Sequence, residues 1–203
     1  MKMLIGVIAI FIVSLYVTSV NAEMQKENGI GFSLSYAIPK DLDIGVGFGV
    51  NFTRYLSPNL SLEFAAENHK FDDEEGGITF GEVNVTPILG TVQFRSSDAI
   101  NSYVGIGIGY YLLSFDESST ASDLCLILFA EDCTYNIDNT FGFHISAGFD
   151  SPLNEDLSLN VDLRYAVGSA DATFELPLSG ISKTDEVDIN YYKFGVGLKY
   201  WFR

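Results

Sequence analysis

An all-β fold, an eight-stranded antiparallel up-and-down transmembrane β-barrel, is what this 203-residue sequence predicts. Three observations carry the prediction. Eight segments alternate large apolar residues with small or polar ones at a period of two, so each strand has one apolar face. The opposite face is mostly Gly, Ser, Asn and Ala. Such residues cannot solvate a water-facing surface, but they fit the narrow inside of an eight-stranded barrel. Short and longer connections alternate, and each segment has about the 9–11 residues that a tilted strand needs to cross a bilayer. A soluble barrel with its apolar face inward would need charge on the outside, and these segments carry little.

The elements follow in order. Residues 1–22 read as a signal peptide: Lys2 is the positive start, Leu4 to Val13 the apolar run, and Ala22 the small residue before the cut. An uncleaved membrane helix is the competing reading, and the strand-rich chain that follows argues against it. Residues 23–203 are expected to form one outer-membrane barrel domain. Strand one sets Ile30, Phe32, Leu34 and Tyr36 against Gly31, Ser33 and Ser35. Strand two sets Val46, Phe48 and Val50 against Gly45, Gly47 and Gly49. Ser57-Pro58-Asn59 is a turn. Strand three sets Leu62, Phe64 and Ala66 against Glu63, Glu67 and His69, and Asp72 to Gly77 reads as a loop.

Strand four runs to Arg95, and its parity slips. Val83 and Val85 precede Pro87, whereas Ile88, Val92 and Phe94 follow, and a bulge at the proline is the expected repair. Strand five, Tyr103 to Phe115, alternates Val104, Ile106 and Ile108 with Gly105, Gly107 and Gly109. A long loop spans Asp116 to Ile137. Strand six carries Phe141, Phe143 and Ile145. Strand seven carries Leu157, Leu159, Val161, Leu163 and Tyr165. A second long loop spans Asp171 to Glu186. Strand eight ends the chain with Phe194, Val196, Leu198 and Tyr200. Val187 and Ile189 lie on the other parity, which predicts another bulge near Tyr191. An even number of strands places both termini in the periplasm and the longer loops outside.

Composition narrows the function. The formal charge is −16, and loss of residues 1–22 with Lys2 makes it more negative. Phosphate backbones would repel such a chain, which excludes nucleic acid as a partner. The two cysteines, Cys125 and Cys133, share the Asp116 to Ile137 loop; in an oxidising periplasm this reads as a disulfide. Metal binding is the weaker reading, because neither His69 nor His144 is close in sequence and two thiolates do not close a zinc site. The acidic loops, Asp72 to Glu75 among them, read as solvated surface and match no calcium-loop pattern. No cofactor motif appears.

The inward parity collects Glu63, Glu67, His69, His144, Asp162, Arg164, Lys193 and Lys199. Buried charges need partners, so a salt-bridge network plugging the lumen is expected, with a polar constriction for a solute as the alternative. His144 and Ser146 share one strand face, a spacing also found in outer-membrane lipid A deacylases. Both are on the inward parity and a lipid hydrolase must face lipid, so no enzyme activity is expected. In the cysteine loop, Leu126, Ile127, Leu128 and Phe129 form an apolar tip. It reads equally as a lid over the barrel mouth or as a contact for membrane, ligand or partner.

Three passages carry a family resemblance: Thr86-Pro87-Ile88 through Tyr110, Gly142 through Tyr165, and Phe194-Gly195-Val196-Gly197-Leu198-Lys199-Tyr200-Trp201-Phe202. They resemble the OmpW family of small outer-membrane barrels, with OmpA-like barrels sharing part of the pattern. The resemblance implies export to the bacterial outer membrane and insertion by the barrel-assembly machinery. The surroundings it implies are outer-membrane lipid and lipopolysaccharide. It also implies passage of small hydrophobic molecules through a narrow barrel with a side exit to lipid. A passive conduit or binder for such solutes is therefore the first functional expectation. A structural or surface-interaction barrel acting through its outer loops is the second. Two departures stand out: Arg203 follows Phe202 where the family ends on an aromatic residue, and the first outer loop, Pro39 to Asp43, is short.

Overall fold

The computed structural model describes residues 27–40, 43–75, 78–96, 100–119, 123, 125–127 and 133–203. The expected signal peptide lies outside these residues. Ten strands follow one another: β1 (Asn28–Pro39), β2 (Gly45–Ser57), β3 (Leu60–Glu75), β4 (Ile78–Arg95), β5 (Asn101–Glu117), β6 (Thr134–Ile137), β7 (Thr140–Pro152), β8 (Leu157–Leu176), β9 (Ile181–Asp188) and β10 (Tyr191–Phe202). Each of β1 to β5, then β7 and β8, pairs antiparallel with the next of that series. β10 pairs with both β8 and β1, which closes a ring of eight. Closure matters because an open sheet edge in lipid would leave backbone groups unbonded, at several kcal/mol each.

Side-chain parity sorts as the alternation requires. Ile30, Phe32 and Leu34 on β1, Phe48 and Val50 on β2, Ile106 and Ile108 on β5, and Phe143 and Ile145 on β7 all point outward and are exposed. They form an apolar belt that only lipid can cover. Aromatic residues mark one edge of the belt: Tyr110 lies against Phe141 (ring centroids 4.8 Å) and Tyr165 against Tyr192 (4.4 Å). Inside, the strands carry glycines because neighbouring side chains fill the lumen. At Gly107, for example, a methyl group would collide with the Gly90 carbonyl and the His144 ring.

Both expected bulges are absent. Across β3–β4, Ala66 faces Ile88 and His69 faces Val85, three residues apart on each strand, so nothing is inserted at Pro87. Across β8 and the β9–β10 segment, Ser169 faces Asp188 and Ala166 faces Tyr191, again three residues apart on each side. At both places the strand parity holds; the chemistry of the lumen changes. Val83, Val85, Val187 and Ile189 point inward because the lumen is apolar at that end. Pro87 instead leaves a missing rung. The Arg95 N–H bonds the Asn59 carbonyl (2.9 Å), and that alternation aims position 87 at Glu67, where proline has no N–H to give. Asn68 Nδ2 bonds Thr86 Oγ1 (2.9 Å) beside the gap, on the lipid-facing parity.

The loop end also departs from expectation. Asp72 to Glu75 belongs to β3, because the β3–β4 hairpin continues past the membrane belt. The expected Asp171 to Glu186 loop is a hairpin of β8 and β9 with a turn at Pro177 to Gly180. The extension of β8 is flanked by β6 on one side and β9 on the other. β6 pairs with β8 and not with β5, so the β5–β7 ladder ends at Tyr111–Thr140. Above it, side chains hold β5: Leu113 N–H to Asn139 Oδ1 (2.8 Å) and Tyr135 N–H to Glu117 Oε1 (3.0 Å).

Candidate functional site

The lumen has two storeys. The storey nearer the chain termini is charged and filled. Arg164 on β8 reaches across to β3, with Nη1 2.7 Å from Glu67 Oε1 and Nη2 3.3 Å from Glu63 Oε1. Lys193 on β10 bonds the same Glu67 oxygen (2.6 Å) and lies 3.1 Å from Asp162 Oδ1. Lys199 sits between Glu63 (3.6 Å) and Asp150 (3.5 Å). Arg95 holds Asp150 Oδ2 (2.6 Å) and Ser61 Oγ (2.8 Å). Tyr103 donates to Asp162 (3.0 Å), and Asn160 donates to Asp150 (2.8 Å).

Among the described residues this storey therefore holds four cations, Arg95, Arg164, Lys193 and Lys199, and four carboxylates, Glu63, Glu67, Asp150 and Asp162, all buried. The balance is what makes burial tolerable: an unmatched buried charge costs about 3–5 kcal/mol. A residual void of about 10 Å³ between Glu67, Tyr103 and Arg164 has room for about one water. At the terminal mouth Trp201 is buried, with its indole N–H on Ser158 Oγ (3.0 Å) and its ring 5.4 Å from Tyr55. These described side chains fill the axis of this storey.

Of the residues singled out in the sequence, Glu63, Glu67, Asp162, Arg164, Lys193 and Lys199 come together here, and His69 joins through Glu67 (3.0 Å). His144 does not join; its Nε2 is 2.8 Å from Thr91 Oγ1. Ser146 is buried beside it in the lumen with no hydrogen bond to it, so the two do not form a nucleophile and base pair. Arg95, Asp150, Tyr103 and Asn160 were missed. Arg95 ends β4 and Asp150 lies two residues before the end of β7, so both resemble turn residues, although they share the inward parity of Gln93 and Gly148.

The second storey is a chamber of about 780 Å³, within the usual range of ligand pockets. Much of its wall is apolar, with Val83, Val85, Leu113, Ile137, Val187 and Ile189, while Lys40, Lys183, Asp185, Glu186 and Asp188 also line it. Its base is an aromatic plate: Tyr191 lies 5.8 Å from the His69 ring, 6.3 Å from Phe71 and 6.5 Å from Tyr111. The plate separates the apolar chamber from the charges beneath. The sequence signal for the chamber was the apparent parity slip at Val83–Val85 and Val187–Ile189.

Cys125 and Cys133 are joined in a disulfide, with Cα atoms 5.9 Å apart, and pack with Leu176 and Phe174 at the end of β8. Cys125 to Ile127 are helical. Leu126 and Ile127 are exposed and contribute nothing to the chamber wall. Leu128 and Phe129 lie outside the described residues.

Comparison with known proteins agrees with this architecture. The OmpW family model matches residues 9–202. Outer membrane protein W of Vibrio cholerae serotype O1 is 26% identical over 202 residues, covering 95% of this chain and 88% of the relative. The crystal structure of OprG from Pseudomonas aeruginosa superposes with a TM-score of 0.73 at 18% identity, covering 88% of this chain and 97% of that one. The solid-state NMR structure of AlkL in lipid bilayers gives 0.63 at 17%, covering 93% and 95%. At these identities the solved structures, both of outer membrane proteins, speak for the fold alone. A match over almost the whole chain, a lipid-facing belt and a closed ring of eight strands lead to one assignment: the chain belongs to the OmpW family and is a protein of the bacterial outer membrane.

Proposed function

We propose that the protein takes up small hydrophobic molecules in the chamber and releases them sideways into the membrane. The observation that carries this reading is an apolar chamber above a filled, charged storey. A hydrophobic solute gains about 25 cal/mol per Å² of apolar surface withdrawn from water, so the chamber favours it. The same solute moving down the axis would have to part Glu67, Arg164 and Lys193, whose separation costs several kcal/mol. The wall is the easier exit. The missing rung at Pro87 is a weak seam in the wall, and it lies beside the chamber residues Val85 and Phe71.

The experiment is flux of an apolar dye into liposomes that carry the purified barrel. Flux above that of empty liposomes is expected, and Ala172→Trp, which fills the chamber, should reduce it. Flux equal to the background, with the barrel folded, would overturn the reading. That outcome would favour the second one, a surface-interaction barrel. The observation on its side is the exposure of Ile127 (77%) and Leu178 (86%) at the loop end.

A further inference from the structure

We infer that the chamber selects lipophilic cations over anions of the same size, a specificity that rests on its being a solute site. Two tiers of aromatic rings line it. Phe71 and Tyr191 form the base, 6.3 Å apart. Above them Tyr135 lies between Phe115 (5.6 Å) and Phe174 (5.0 Å). Ring faces carry negative charge density, and several rings around one space hold an ammonium or phosphonium group that has given up its water. Aliphatic walls would hold any apolar solute, but they offer nothing to such a head.

The charges at the rim point the same way. Asp185, Glu186 and Asp188 face Lys40 and Lys183. Lys183 already bonds Asp185 (2.5 Å), and Lys40 lies 3.7 Å from Asp188. Carboxylates are thus in excess, and both ammonium groups have an anionic neighbour. The wider field agrees. The formal charge of the chain is −16, whereas the buried storey is balanced, so the excess negative charge lies outside that storey. Field lines of that sign concentrate cations at a low-dielectric mouth and repel anions. An anion in the chamber would lose water and meet ring faces. A cation would lose water and meet the same faces with the opposite sign of interaction.

Tetraphenylphosphonium and tetraphenylborate share size and shape but not charge. The test is their titration against the full chain in nanodiscs of zwitterionic lipid, with empty nanodiscs as background. A neutral naphthylamine dye reports chamber binding without charge. The phosphonium should bind about tenfold more tightly than the borate, the scale of a desolvated cation–π contact. Glu186→Lys should shrink that ratio, and Phe174→Leu should weaken the phosphonium more than the dye. Heat-modified gel mobility establishes that both variants keep the barrel. Equal affinity for the two ions, or preference for the borate, while the dye still binds overturns the charge selection and leaves the chamber reading standing. Loss of binding for all three probes overturns both.

Discussion

At the scale of single residues, parity decides what a substitution does. Leu163 is central in the outward row of β8, opposite Phe194 on β10. Leu163→Arg places a charge against hydrocarbon and should cost about 2–4 kcal/mol if it sits near the bilayer midplane. Its inward neighbour Asn160 supplies hydrogen bonds to Asp150 (2.8 Å) and to the Tyr103 hydroxyl (3.3 Å). Asn160→Ala leaves a buried carboxylate short of a donor and should cost about 1–3 kcal/mol. Denaturant titration of folding into lipid vesicles measures both. If Leu163→Arg were neutral, the lipid-facing assignment of β8 would be wrong.

At the scale of elements, the β3–β4 seam carries the sharpest expectation. From Leu60–Phe94 to Asp73–Gly81 the register is kept on both sides of the proline, and the interruption coincides with the one residue type that has no N–H. Pro87→Val should restore the rung, protect the new amide against hydrogen exchange and add about 0.5–1.5 kcal/mol of stability. If solute leaves through this seam, the same variant should slow liposome flux. Slow exchange with undiminished flux would move the exit elsewhere, for instance to the β5–β6 gap. There two side-chain hydrogen bonds stand where a ladder would be.

At the scale of the molecule, the barrel and the cysteine loop are held by different interactions. Strand closure, the lipid belt and the balanced charges hold the barrel together, whereas the disulfide closes a loop that packs on Leu176 at the end of β8. The crosslink closes a ring of about eight residues, and a chain-entropy account gives such a ring about 2–3 kcal/mol. Reduction should therefore leave the heat-resistant gel mobility of the barrel unchanged while loosening Cys125 to Ile127. Unfolding of the barrel on reduction would refute this division.

The eight membrane strands, their parity, the turns at Ser57 and Pro152, and most of the charged storey are legible from the sequence. A membrane strand must show lipid one face and the lumen the other, and that constraint writes itself into every second residue. The partners within the storey were not legible. Arg164 meets Glu67 97 positions away, and only the closed register brings them together. The chamber was not legible either. Val83, Val85, Val187 and Ile189 announce it by sitting on the inward parity. One strand at a time, an apolar inward residue looks the same as a slipped strand. Side by side, with the register unbroken, these residues form an apolar wall. The sequence by itself determined which face each strand turns to lipid, because that choice is made within the strand. Tertiary structure decided what the enclosed space is, because a cavity exists only between strands.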